Sequence, residues 1–102
     1  MKSIDELAKG DYIAFGFDYN GGEPSELIVS NITQIYKDKK SIVQVLVHFQ
    51  YANHSIGEFI KRENIWAIGN PKGKGVIKGW TGTYDILNQE KISKISNSPK
   101  LI

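Results

Sequence analysis

From residue 41 to residue 51 the chain alternates without a break. Val43, Val45, Val47, Phe49 and Tyr51 share one parity, and Ile42, Gln44, Leu46, His48 and Gln50 the other. A period of two puts alternate side chains on opposite faces of a strand, and the all-apolar set is expected to face the core. Residues 11–18 repeat the pattern, with Ile13, Phe15 and Phe17 against Tyr12, Ala14 and Gly16; the glycine suggests a bend or bulge. Residues 27–36 are rich in β-branched side chains, but Leu27, Ile28, Val29, Ile32 and Ile35 do not keep one parity. A bulge near Ser30-Asn31 is expected there. Residues 56–61 and 65–68 supply two shorter strands, joined by a tight turn at Arg62-Glu63-Asn64.

Turn chemistry separates these segments. Asn20-Gly21, Lys37-Asp38-Lys39-Lys40 and Ala52-Asn53-His54 lie between strands. At the start, Ser3-Ile4-Asp5-Glu6 fits a capping box for a short helical turn that Gly10 would end. No segment carries a sustained helical period. Five short strands separated by turns at roughly 8–12-residue spacing predict a mainly β fold, an antiparallel barrel or sandwich. Beyond residue 69, residues 75–78 and 83–87 fit a β-ribbon, and residues 92–95 fit an edge strand or a short helix. Residues 97–102 read as a frayed tail.

The entry Leu7-Ala8-Lys9-Gly10-Asp11-Tyr12-Ile13, two long strands, and then Phe59-Ile60-Lys61-Arg62-Glu63-Asn64-Ile65-Trp66 resemble the small SH3-like barrels. The resemblance covers residues 10–69 and rests on strand order and one turn. It implies a small antiparallel barrel of five to seven short strands, with a short N-terminal helical turn. It also implies a binding module for peptides, nucleic acids or small ligands, with few enzymes among such folds. Residues 70–96, rich in Gly and Lys, stand outside the pattern as a C-terminal extension. At 102 residues the chain is expected to form one domain.

Composition narrows the chemistry. There is no cysteine, hence no disulfide, thiolate nucleophile or cysteine-based metal site. His48 and His54 lack metal-motif spacing and no serine sits in a nucleophile motif, so neither catalysis nor a cofactor is expected. No apolar run reaches the ~18–20 residues of a membrane helix, and an acidic N-terminus unlike a signal peptide fits a cytoplasmic location. The net charge is only +2, but residues 1–36 carry two lysines against six acids, and residues 37–102 eleven Lys/Arg against five.

The stretch from Gly69 to Tyr84 concentrates the candidate chemistry. It holds half of the ten glycines, no acid, and Lys72, Lys74 and Lys78. Lysines supply point charges for phosphate, and Gly73 and Gly75 let a backbone expose N–H groups. Trp80 and Tyr84, with Arg62 and Trp66 upstream, offer rings and a guanidinium for stacking. The spacing matches no Walker A motif. Solvated lysines on a hairpin loop, and core packing for Trp66, fit the same residues. Three functions are compatible: a module gripping a nucleotide or single-stranded nucleic acid; a protein-binding module, such as a phage- or plasmid-encoded inhibitor of a host protein; and a structural component whose 71–84 arm reaches a neighbouring copy in a homo-oligomer.

Overall fold

The longest strand, β2 (Glu26–Asp38), organises the sheet because its two halves pair with different neighbours. In the computed structural model, which describes residues 3–96, its first half runs antiparallel to β1 (Tyr12–Phe17), from Phe17↔Glu26 to Tyr12↔Asn31. Its second half pairs with β3 (Ser41–Tyr51), from Ile32↔Val47 to Asp38↔Ser41. On the far side of β3 lies β4 (His54–Lys61). On the far side of β1 lie β5 (Ala67–Gly69) and then β6 (Tyr84–Ile86). A helix, α1 (Gln89–Ser96), follows. The result is one six-stranded antiparallel sheet in the order β4-β3-β2-β1-β5-β6.

The sheet is open, with β4 and β6 as its edges and no ladder joining them among the described residues. The chain after β5 adds β6 beside β5 instead of returning to β4, so the closed sheet expected from the sequence does not form. The expected β-ribbon between residues 75–78 and 83–87 is likewise reduced to one bridge, Gly75↔Tyr84, because β6 takes β5 as its ladder partner. Residues 92–95 belong to the helix and not to an edge strand. The expected frayed tail, 97–102, lies outside the described residues.

Two bulges reassign faces. The register of β2 slips between Ile32 and Gln34, slightly beyond the expected Ser30-Asn31. There the Thr33 hydroxyl donates to the Leu46 carbonyl at 3.0 Å. A second slip, between Tyr36 and Lys37, leaves Val43 as the extra residue of β3. Val43 is therefore 46% exposed, while Ile42 is fully buried. Strict alternation placed these two the other way round, because it has no means of registering an inserted residue.

Two apolar clusters lie on opposite faces of the β1–β2–β5 region. The larger joins Ile13, Phe15, Ile28 and Ile68 to Val45, Val47 and Ile60 of the β3–β4 region, so the sheet folds over itself around this cluster. Phe15, Phe17, Phe49 and Tyr51 continue it as tilted or edge-on ring pairs at 5.1–5.7 Å. The smaller cluster, Ala14, Leu27, Trp66, Ala67, Ile77, Tyr84, Ile92 and Ile95, lies beyond it and is covered by residues 70–83 and α1. Gly16 is required here: an added Cβ would fall 2.6 Å from the Pro24 Cβ and inside the Trp66 ring.

The β3–β4 hairpin turns at Ala52 and Asn53, both with positive φ (47° and 70°), between the paired Tyr51 and His54. Positive φ at both central residues defines a type I′ turn, which favours Asn and Gly. An alanine in this region costs about 1–2 kcal/mol, of which unfolded-state entropy returns part on substitution by glycine. Ala52→Gly is therefore expected to stabilise the protein by about 0.5–1 kcal/mol, read as a rise of roughly 2–8 °C in a thermal melt.

The N-terminal turn, Ile4–Glu6, is a 3₁₀ segment in which the Ser3 N–H donates to Glu6 Oε1 at 3.1 Å. Asp5 fastens it to the sheet. Its carboxylate accepts the Ile42 N–H at 2.9 Å and both Nη groups of Arg62, whose Nη1 also donates to the Ile42 carbonyl at 3.1 Å. The Arg62 guanidinium, and then the Ile42 N–H, hold the Asp5 carboxyl below the ordinary value of 3.8. The contribution to stability is then complete above that value and is lost as pH falls through the lower folded-state value. In thermal melts across the acid range, the wild type is expected to exceed Asp5→Asn in Tm at neutral pH, and the gap is expected to close as pH falls through the lowered folded-state value, below 3.8. A gap that persists unchanged into acid would exclude this pair as its cause.

Candidate functional site

Residues 70–83 form a strap whose two feet meet. The Asn70 N–H donates to the Thr83 carbonyl at 3.0 Å, and the Thr83 hydroxyl donates back to the Asn70 carbonyl at 2.6 Å. Asn70-Pro71-Lys72-Gly73 closes a turn through Gly73 N–H to Asn70 O at 2.9 Å, with Pro in the second position where its fixed φ fits. The Asn70 side chain completes that turn by accepting the Lys72 N–H at 2.9 Å. Gly75 then exchanges both backbone hydrogen bonds with Tyr84 at 2.8 Å. Ile77, fully buried, anchors the middle of the strap in the second cluster. After it, Ile77-Lys78-Gly79-Trp80 turns with Gly79 at φ 88°. A compact loop with joined ends and its own packed side chain is an Ω-loop in character.

This geometry separates the residues singled out from sequence. The N–H groups of Gly73 and Gly75 are committed to Asn70 and Tyr84, so neither is free to cradle a phosphate. An added Cβ at Gly73 would come within 2.7–2.9 Å of the Tyr84 backbone, so the glycine serves close packing. Trp66 is 3% exposed and Tyr84 5%, and burial raises the Tyr84 hydroxyl pKa. Trp80 is half-buried against the second cluster. The indole N–H groups of Trp66 and Trp80 are both closed off without a protein acceptor. Arg62 belongs to the Asp5 contact, apart from the strap.

The lysines behave differently. Lys72, Lys74 and Lys78 are all exposed, and among the described residues none is in a salt bridge. The strap itself carries no acid, and Asp85, which follows it, is buried and accepts the Asn70 side-chain N–H at 3.1 Å. The helix that shares the covering layer adds exposed Lys91 and Lys94, with Glu90 3.5 Å from Lys94. The layer over the second cluster, residues 70–96, thus carries five lysines against two acids, one of them buried.

Beside the feet of the strap lies a cleft of about 500 Å³ between Gly10–Tyr12 on one side and Gly69–Pro71 and Thr81–Tyr84 on the other. Its exposed aromatic is Tyr12, 54% accessible. The alternation of β1 places Tyr12 opposite the buried Ile13, but nothing local to it in sequence links it to the strap.

Two other surfaces are notable. On the β2–β3–β4 region, Tyr36 and Phe59 lie 5.8 Å apart and both are exposed, as is Val43. Near the hairpin, Tyr19 stacks on Tyr51 at 5.5 Å and on His54 at 5.8 Å. Beneath, Glu26 is buried with Oε2 unpartnered by any protein donor. Hydrogen bonding to Glu26, with burial, raises the Tyr51 pKa. His48 is exposed, with Nδ1 2.9 Å from the Thr33 hydroxyl. Among the described residues no group of three or more His, Asp or Glu side chains is placed to hold a metal ion, and no helix is long and apolar enough to cross a membrane.

No protein-family model matches the chain, and no curated protein or solved structure matches it.

Proposed function

We propose that this is a non-enzymatic binding module for a phosphate-bearing ligand, a nucleotide or single-stranded nucleic acid, held on the lysine-bearing strap of a small SH3-like sheet. The observation that supports the reading is the pairing of order with unopposed charge. The strap is fixed by Ile77 and by backbone hydrogen bonds at both feet, while Lys72, Lys74 and Lys78 stand exposed on it, in no salt bridge among the described residues. Preordered cations lose less entropy on binding an anion than cations on a loose hairpin. The contact is through side-chain charge, not through backbone N–H groups.

Anisotropy of a labelled single-stranded oligonucleotide tests the reading. Binding is expected at low salt and should weaken steeply as salt is raised, because neutralised phosphates release counterions. No binding at low salt, to the oligonucleotide or to a panel of mononucleotides followed by thermal shift, would sink it.

A protein-binding function has its own support in the exposed Tyr36–Phe59 pair, since aromatic side chains are enriched in interface hot spots. On that reading Phe59→Ala would abolish capture of a partner and leave anion binding intact.

A further inference from the structure

We infer that the free edge of β4 is where a second copy of this chain docks, the two β4 strands pairing antiparallel about a two-fold axis. The inference stands apart from the anion-binding reading and gives the exposed Tyr36–Phe59 pair a definite occupant. β4 pairs with β3 on one side, and its other side is an edge of the sheet. The ladder fixes which groups point outward there. Leu46 and His48 turn their carbonyls toward β2, where the Thr33 and Ser30 hydroxyls donate to them. Backbone groups alternate in direction along a strand, so Val45, Val47 and Phe49 bond to β4 through Ile60, Glu58 and Ile56. Ser55, Gly57, Phe59 and Lys61 then direct their N–H and C=O groups away from β3. Among the described residues no loop or turn bonds to them.

Such a row of groups is a template for another strand, and edges are commonly blunted by proline, bulges or lysines. β4 holds no proline, its one lysine is its last residue, and its register with β3 is unbroken from Gln44↔Lys61 to Tyr51↔His54. The opposite edge is partly covered, since Tyr84 of β6 exchanges backbone hydrogen bonds with Gly75 of the strap. A copy therefore meets β4 with its own β4, and an isologous contact of this kind closes at two chains. The outward-directed residues share one face of the sheet with the exposed aromatic pair: Phe59 is 56% accessible and Tyr36, 5.8 Å from it, 40%. A two-fold through Gly57 sets Phe59 opposite the copy's Ser55 and Glu58 opposite the copy's Ile56, so no like charges face each other.

Sedimentation equilibrium of the full chain over a range of concentrations tests the dimer, and hydrogen exchange locates the contact. The wild type should approach twice the 11.5 kDa chain mass as concentration rises. Phe59→Lys should raise the dimer dissociation constant at least about 30-fold, because the change enters the contact from both chains. The Gly57 and Phe59 amides should be protected in the dimer and released on dilution, while those of Ile56 and Glu58, bonded to β3, stay protected throughout. Circular dichroism melts confirm that Phe59→Lys folds, and the wild-type measurements do not depend on it. A wild type that stays monomeric to millimolar concentration, or a dimer whose Gly57 and Phe59 amides exchange freely, overturns the inference and leaves the anion-binding reading standing. So does a dimer that folded Phe59→Lys forms as readily as the wild type.

Discussion

Trp66→Ala is expected to destabilise the protein by about 3–5 kcal/mol, the usual consequence of removing a buried tryptophan. The indole is 3% exposed and lies over β1, against a glycine that cannot carry a side chain because the ring occupies its place. Its backbone is equally committed. The Trp66 N–H donates to the Ala14 carbonyl at 2.8 Å, and its own carbonyl accepts from both Leu87 and Asn88. Truncation would open the second cluster beneath both α1 and the strap. Since small domains have only about 5–15 kcal/mol of stability, a fall of about 12 °C or more in Tm is expected, at roughly 4–8 °C per kcal/mol. If Trp66 were instead a ligand contact with little structural role, the variant would melt within a few degrees of wild type.

The largest expected effect on binding comes from Lys72→Glu, Lys74→Glu and Lys78→Glu combined. All three side chains are exposed, so the triple variant is expected to melt within a few degrees of the wild type. For a single-stranded ligand, losing three phosphate contacts should flatten the dependence of log K on log salt by about 2, at roughly 0.7 per contact. Affinity at low salt should fall at least about 100-fold, since the change replaces attraction by repulsion at each position. A triple variant that binds like the wild type would remove the strap from the site.

The fold was legible where one period governed a segment and illegible where an inserted residue or a tertiary cover intervened. The alternation in residues 11–17 correctly gave Ile13, Phe15 and Phe17 to the core. Val43 was misplaced because the bulge opposite Tyr36 and Lys37 depends on the partner strand, which the sequence of β3 alone does not carry. The sheet's failure to close is of the same kind, since it depends on whether the last strand pairs with β5 or with β4. At the candidate site, the acid-free lysine cluster could be read directly from composition. The fate of its neighbours could not. Glycines that look like phosphate-binding backbone are required by the approach of Tyr84 to Gly73 and of Ile86 to Gly75, and Trp80, between Gly79 and Gly82, still packs on a core. A second cluster on the outer face of the sheet turns a stretch that resembles an exposed loop into a covering layer.

NMR chemical-shift mapping of the labelled protein with a short single-stranded oligonucleotide asks directly which surface is used. Amide and side-chain signals of Lys72, Lys74 and Lys78 are expected to move in a salt-sensitive manner, while Tyr36, Leu46 and Phe59 stay in place. Shifts confined to the Tyr36–Phe59 face, with the strap unchanged, would contradict the account.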